Sequence, residues 1–394
     1  MDIRIFTDNI DGKAVAQCYE IAKSPAFENA KIRIMPDVHA GKGCVIGFTA
    51  RDWTSVIANV VGVDLGCGML VAQVEPSAKD SGFDLEELDR VVNERVPAGF
   101  EVHDKISYPV ENLRLHELRM PLEGSAREHV ERSVGTLGGG NHFIELDVDE
   151  DGNRYLVIHT GSRHLGKLVC EHYQNAAVRG NDAYATQSRE LIARLQREGR
   201  ATEIESSLKA LKASIRPVPD DLASLSGDGM EDYLHDLRIA QAYAEANRYE
   251  ILRIVTEAMG WKVVHAFQSV HNYIDMEDRT VRKGAISARE GQELIIPLNM
   301  RDGCILGVGK GNPDWNESAP HGAGRVLSRG AAKELVDMDE FRAAMEGIYS
   351  TSVCESTKDE SPFAYKPSGE IIAAVADTVD IKRIIKPVYN FKAH

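Results

Sequence analysis

Four short stretches of this 394-residue chain set potential metal ligands beside glycine or at the end of an apolar run. VDLGCGM places Asp64 and Cys67 three residues apart among Gly62, Gly66 and Gly68. Glycine lets a backbone fold tightly enough for a carboxylate and a thiolate to converge on a divalent metal. Taken alone, that pair is better explained by a local turn bond from the aspartate and a buried, hydrophobe-like cysteine. GGGNHFIEL adds Asn141, His142 and Glu145 directly after three glycines. IHTGSRHLG ends an apolar run on His159 and leads through Gly161, Ser162 and Arg163 into a predicted helix, whose first N–H groups favour an anion. Read alone, Ser162 is an N-cap and His159 a strand-end histidine. VHNYID contributes His271 and Asn272 at a third such junction.

The agreement between these stretches carries more than any one of them. One carboxylate, one thiolate and three imidazoles make five ligands for a first-row metal, enough for one crowded site or for two metals sharing the thiolate. Ligand softness alone selects zinc. A further stretch, HGAGRVLSR, sets His321 in a loop of small residues, with Arg325 and Arg329 four apart. An unshielded neutral imidazole is a competent nucleophile toward phosphorus, and two arginines on one helical face would clamp a phosphate. The plainer alternative is a glycine turn followed by a solvated basic helix. RKGA, with Arg282 and Lys283, reads as a solvated pair beside a turn; KPVYNFKAH places Lys392 after Val388, Tyr389 and Phe391, which could dock the tail and carry the lysine into a pocket.

These residues need elements to hold them. Residues 1–75 read as strands joined by glycine-rich turns, including KIRIMPDVHAGKGCVIGFTA and VIANVVGVDLGCGMLVAQV. DLEELDRVVNERV has helical spacing over 84–96, and strand and glycine loop return over 134–161. Apolar spacing of three and four through LVCEHYQNAAV, RELIARL, SSLKALKASI and YLHDLRIAQAYAEANRYEILRIVTEAMG predicts a helical insertion over about 168–260, interrupted by RPVPDDLASLSGDG. Strands resume with KVVHAFQSVHNYIDM and QELIIPLNM, and helices follow near 331–348 and over 368–379.

Composition narrows the classes. With 43% hydrophobic and 27% charged residues the chain is globular in character, and its length suits either two to three domains or one large enzyme fold. No run of eighteen apolar residues is present and the first residues lack a basic then apolar pattern, so neither a membrane span nor export is expected. Six cysteines without a CxxC pair argue against a disulfide framework or a zinc ribbon and for a reduced, cytoplasmic protein. A net charge of −15 excludes broad non-specific nucleic-acid binding while leaving room for a local basic patch.

Taken in order, MPDVHAGKGCVIG, VGVDLGCGM, GTLGGGNHFIEL, HTGSRHLG, HNYID, RKGA, HGAGRVLSR and PVYNFK resemble the RNA-splicing ligases of the RtcB family over essentially the whole chain. The resemblance implies a single catalytic domain over 1–394 of the α+β class. Its β-sheet core would be flanked by helices and carry a deep dinuclear metal cleft. It implies Mn(II) rather than zinc, with Asp64, Cys67 and His142 on one ion, Cys67, His159 and His271 on the other, and zinc as an inhibitory competitor. It further implies that His321 attacks the α-phosphorus of GTP, that the RNA 3′-phosphate then takes the GMP, and that a 5′-hydroxyl end displaces GMP to seal the strand.

A 2′,3′-cyclic phosphate would enter after opening, in tRNA splicing or RNA repair, with an archease-like protein as a candidate activator. By the same resemblance Asn141, His142, Glu145, His271, Asn272, Asn299, Met300, His321, Gly322, Ala323, Gly324 and Lys392 contact the nucleotide, Lys392 at the guanine, and Arg325 and Arg329 grip RNA phosphate. One stretch departs from the family pattern. Leu298, Asn299, Met300 and Arg301 stand where many members have Gly-Ser-Met-Gly, and Ala319 and Pro320 precede His321. Backbone contacts survive such a change; a serine hydroxyl contact does not. Two other functions use the same residues: a metal-dependent phosphoesterase that needs no His321, and an RNA-binding protein without turnover.

Overall fold

The computed structural model describes residues 2–77, 82–180, 183–214 and 218–393. Residues 215–217, where the predicted SSLKALKASI helix meets its loop, lie outside the described residues. The chain opens with β1 (Asp2–Ile5), α1 (Gly12–Ala22), β2 (Lys31–His39), β3 (Ile46–Arg51) and α2 (Ala58–Val61). Both helices correct the all-strand expectation for this region. For α1 the cause is Asp11, whose carboxylate accepts from Ala14 N–H at 2.9 Å, with Ala14, Cys18, Ile21 and Ala22 buried on one face. For α2 it is Gly62, whose φ of 103° ends the VIANV run after one turn.

The middle of the chain supplies β4 (Gly68–Pro76), α3 (Leu85–Arg95), α4 (Gly124–Arg132), β5 (Phe143–Val148) and β6 (Arg154–Thr160). Then come α5 (Arg163–Gly180), α6 (Ala183–Arg197), α7 (Ile204–Ser214) and the 33-residue α8 (Gly227–Met259). Next are β7 (Trp261–Val270), β8 (Asn272–Ile274), β9 (Val281–Lys283), β10 (Ala285–Ser287), β11 (Glu293–Asn299), β12 (Gly303–Gly309) and β13 (Ser318–Pro320). The chain finishes with α9 (Arg329–Leu335), α10 (Met338–Ala344), α11 (Ser368–Ala374) and β14 (Val379–Lys392). The helix expected at 331–348 is two helices, because Asp337 accepts from Asp339 and Glu340 N–H and restarts the turn. The helix expected at 368–379 stops early, and the 14-residue β14 follows it.

The strands form a five-stranded sheet in the order β1-β2-β3-β9-β8, a β10-β13 pair, and a seven-stranded sheet in the order β11-β12-β14-β5-β6-β4-β7. The large sheet is antiparallel throughout. It curls until its two edges meet, Ile295 N–H donating to Ser269 Oγ at 3.1 Å. Alternation along each strand separates two apolar layers. Leu70, Ala72, Ile144, Leu146, Leu156 and Ile158 pack outward under Leu88 and Val92 of α3 and Ile251 and Val255 of α8. Met69, Val71, Phe143, Tyr155, Val157 and Ile295 fill the concave face. His159, two residues beyond Val157, therefore stands on the concave face at the sheet's rim.

Candidate active site

Strand register gathers the predicted ligands. Gly68 at the start of β4 pairs with Thr160 at the end of β6 and with Val270 at the end of β7, and Phe143 at the start of β5 pairs with His159. Residues just outside these positions, Cys67, His142 and His271, must then share one end of the sheet with His159. His271 N–H donates to Cys67 O at 2.9 Å, and Gly66 N–H to Asn272 O at 2.7 Å. Asp64 reaches the same point because residue 161 is glycine: a Cβ there would lie 2.1 Å from Asp64 Oδ1. Just before α5, the Ser162 N–H donates to Asp64 Oδ1 at 3.1 Å.

Cys67 Sγ lies 3.4 Å from both His142 Nε2 and His159 Nε2. His159 Nε2 is 3.3 Å from His271 Nε2, and His142 Nε2 is 3.0 Å from Asp64 Oδ2. Backbone carbonyls fix two of the rings: His142 Nδ1–H donates to Leu137 O at 2.9 Å and His159 Nδ1–H to Asn141 O at 3.1 Å. In neutral imidazoles that leaves both Nε2 lone pairs facing inward, against a carboxylate and a sulfur. So many acceptors with so few protons between them suit a divalent cation. Metal–nitrogen and metal–sulfur bonds of roughly 2.1 and 2.3 Å across a tetrahedral angle would space N and S by about 3.6 Å. The observed spacing is close to that.

The protonation states follow from burial. Desolvation pushes His159 and His271 well below the usual imidazole range, so both are neutral near pH 7. Desolvation, reinforced by the Asp64 charge, pushes the Cys67 thiol well up. Burial opposes ionisation of Asp64, but hydrogen bonds with His142 and Cys67 outweigh it and hold its carboxyl below the usual range.

His321 faces this cluster, its ring centroid 4.9 Å from that of His271. Its Nδ1 is 2.6 Å from Asp37 Oδ2, which also accepts from the His321 backbone N–H at 3.2 Å. Asp37 is fully buried, on β2. The carboxylate holds the proton on Nδ1 and leaves the Nε2 lone pair of a neutral ring unprotonated. The RKGA glycine lets the ring in: Gly284, at φ +62°, would place a Cβ 3.2 Å from His321 Cε1.

A cavity of about 600 Å³ joins these groups. Asp64, Cys67, His159, His271 and His321 line it, as do Asn141, Glu145, Asn272, Lys392 and the Gly322–Gly324 loop. His142 is not on its wall and touches Asp64 and Cys67 from behind. Lys392, at the end of β14, is buried because the tail pairs with β5 in mid-sheet, Lys392 opposite Phe143. Burial pushes Glu145 up to about 7, while Lys392 and the Asn390 amide pull the other way.

Leu298, Asn299 and Met300 also line the cavity, whereas Arg301 does not. The Asn299 carbonyl is spent on its own turn, accepting from Arg301 and Asp302 N–H at 3.0 and 2.9 Å. Arg325 and Arg329 line the cavity without sharing a helix face, because α9 starts at Arg329 behind its Ser328 cap. Lys283 is buried, with Nζ donating to Lys42 O and Asn59 O at 2.8 and 2.9 Å, and Arg282 is fully buried too. The solvated-pair expectation for RKGA is thereby overturned: β9 lies inside its sheet, next to β3.

Several residues that the sequence reading did not single out support these groups. Asp37, inside the MPDVHAGKGCVIG stretch, is one. Asn247 and Arg248 of α8 are two more, since Arg248 Nη1 donates to Gly66 O and Thr160 O at 2.8 and 2.9 Å, tying the Asp64–Cys67 turn to the His159 strand end. Asn247 Nδ2 donates to Gly161 O at 3.0 Å. Glu360 is the fourth, accepting from Tyr365 OH at 2.6 Å and pairing with Lys392 Nζ at 3.2 Å. Asn247 and Arg248 within α8, and Glu360 in the DES stretch before Tyr365, carry no pattern that separates them from ordinary surface polar residues.

Comparison with known proteins matches this arrangement to one family. The family profile described as "tRNA-splicing ligase RtcB" matches residues 17–132 and 111–393. "RNA-splicing ligase RtcB" of Escherichia coli K12 is 30% identical over 416 residues, covering 97% of this chain and 95% of that protein. "RNA-splicing ligase RtcB1" of Escherichia coli ATCC 25922 is 30% identical, with 97% and 95% covered. "tRNA-splicing ligase RtcB" of Aeropyrum pernix is 26% identical, with 95% and 89% covered. With both the profile and the relatives spanning nearly all of it, the chain belongs to the RtcB family.

Proposed function

We propose that the chain is a GTP- and Mn(II)-dependent RNA ligase that joins RNA 3′-phosphate, or opened 2′,3′-cyclic phosphate, ends to 5′-hydroxyl ends. The observation that carries this reading is His321. A histidine whose Nδ1 is held by a buried aspartate lies beside three further imidazoles, a thiol and a carboxylate in one cavity. Asp64, Cys67 and His142 would hold one Mn(II), and Cys67, His159 and His271 the second. Bound there, the ions supply Lewis-acid stabilisation of charge developing on phosphate oxygens.

The protein's own groups do the rest. His321 Nε2 attacks the α-phosphorus of GTP, pyrophosphate leaves, and a phosphoramidate bond joins imidazole to GMP. Asp37 stays on Nδ1–H and offsets the positive charge that the ring acquires. Lys392 would sit at the guanine, and Asn141, Glu145, Asn272 and the Gly322–Gly324 loop would make the remaining nucleotide contacts. An RNA 3′-phosphate oxygen then attacks the GMP phosphorus and releases His321. The 5′-hydroxyl of the second strand attacks the activated terminal phosphorus, GMP leaves, and a 3′,5′-phosphodiester results.

The test is intact-protein mass after incubation with GTP and Mn(II), wild type against His321→Ala. An acid-labile gain of one GMP in the wild type alone is expected. RNA-end processing that persists in His321→Ala, with no adduct in either protein, would replace this reading with the phosphoesterase one.

A further inference from the structure

Four cations meet two carboxylates on one side of the cavity. Arg329 Nη1 lies 2.5 Å from Asp359 Oδ2 and 2.7 Å from Glu360 Oε1, and Arg325 Nη1 lies 3.4 Å from Glu360 Oε1. Lys333 Nζ is 3.7 Å from Asp359 Oδ1, and Lys392 Nζ is 3.2 Å from Glu360 Oε2. Arg325 is held also by Asp359 O at 2.5 Å. The cluster thus carries two positive charges in excess within a chain of net charge −15. A terminal phosphate monoester brings roughly two negative charges at neutral pH, which matches that excess.

The two carboxylates are buried, their side chains 7% and 3% exposed, while that of Arg329 is 46% exposed. The acids are therefore fixed and the guanidinium is the part that can swing. Its Nη2 already points toward the glycine loop before Asn141, 4.0 Å from where a Cβ on Gly140 would sit. Glu360 also divides its two oxygens: Oε1 serves the arginines, and Oε2 serves Lys392 and the Tyr365 hydroxyl. Loss of the Oε1 partners leaves the Oε2 side held.

We propose that Asp359 and Glu360 are the resident counter-anions of this cluster, holding Arg325 and Arg329 in the protein alone and yielding them to the 3′-terminal phosphate of RNA. They are positioning residues that set how strongly a phosphate end is preferred. This rests on the RNA-ligase reading. An arginine exchanging one carboxylate for a doubly charged phosphate keeps its fork satisfied throughout, so no guanidinium is left desolvated and unpaired. The resident acids compete with an incoming phosphate and so lower the affinity for a 3′-phosphate end, while a 3′-hydroxyl end, which displaces no ion pair, meets no such competition.

The test is the affinity, at one fixed salt concentration, for one oligoribonucleotide ending in 3′-phosphate and its twin ending in 3′-hydroxyl. Wild type, Glu360→Gln and Asp359→Asn are compared. Each substitution removes a competing charge at nearly constant shape, and each is expected to raise the preference for the 3′-phosphate end by about three- to tenfold. Inorganic phosphate is expected to raise the unfolding temperature of either variant more than that of the wild type. A merely structural role predicts the opposite, a preference that falls or holds and no larger phosphate effect, and that result in folded variants would overturn the proposal. Should Glu360→Gln not fold, Asp359→Asn decides the matter. A wild type with no preference for the 3′-phosphate end would instead count against the RNA-ligase reading.

Discussion

Replacing Asp37 by asparagine isolates the one charge that the proposed first step requires of the protein. Asp37 Oδ2 takes two donors, His321 Nδ1–H at 2.6 Å and His321 N–H at 3.2 Å, from a fully buried position. Asparagine can keep its carbonyl on both donors, so the ring orientation and tautomer survive. What disappears is the negative charge facing an imidazole that turns cationic as its Nε2 bonds to phosphorus. A hydrogen bond to a charged group is worth up to about 3 kcal/mol against about 1 for a neutral one, a difference of about 2 kcal/mol. The Coulomb energy of unit charges about 4 Å apart at an effective dielectric near 20 is about 4 kcal/mol. Adduct formation should therefore slow by about 30- to 900-fold, at 1.36 kcal/mol per tenfold. The assay is the single-turnover rate of GMP attachment at saturating GTP and Mn(II), followed by intact mass, with metal content and unfolding temperature measured alongside. A rate within threefold of wild type in a folded, metal-loaded Asp37→Asn protein refutes the charge argument.

Four further outcomes are expected. Cys67→Ala removes the sulfur that sits 3.4 Å from two ring nitrogens, so metal analysis should find neither site filled; two ions retained per chain would refute the shared thiolate. Gly161→Ala puts a methyl 2.1 Å from Asp64 Oδ1, and the displaced carboxylate should lower metal affinity by about 10- to 100-fold, read by competition with a chelating dye. Arg325→Ala should leave GMP attachment intact and slow transfer to RNA; loss of the adduct itself would move Arg325 to the nucleotide step. Asp149 is opposed by burial, yet hydrogen bonds with Asn153, Tyr155 and Arg383 hold it down at about 2 against an ordinary 3.8. A lowered carboxylate stabilises the fold above its unfolded value and loses that contribution as pH falls through the folded one. Asp149→Asn should thus lower the unfolding temperature at pH 7, with the gap to wild type closing as pH drops below 3.8 toward 2.

The convergence of these side chains was legible because strand ends announce themselves. His142, His159 and His271 each stand where an apolar run meets a polar or glycine turn, and antiparallel register then brings those junctions to one end of the sheet. The elements misread were those whose local signal is shared. One turn of helix at VIANV looks like a strand until Gly62 ends it, and the alternation in VDIKRIIKPVYNFK is diluted by five charged residues, with Lys382 and Arg383 adjacent. That strand reads as a docked tail from the sequence and proves to run through the middle of the large sheet, which is why Lys392 is buried.

Asp37 and Glu360 were invisible for a different reason. Each acts across a sequence distance that no spacing rule spans, 284 residues from Asp37 to His321 and 32 from Glu360 to Lys392. A lone acid on a strand or in a short helical turn has the same local appearance whether it faces water or the nucleophile. Buried carboxylates persist only when paired or neutral, so each must have a partner that the fold supplies. Asp37 has the His321 ring and Glu360 has Arg325, Arg329 and Lys392. The convergence of Cys67, His142, His159 and His271 is therefore a property of strand register, while the partners of Asp37 and Glu360 are a property of tertiary packing alone.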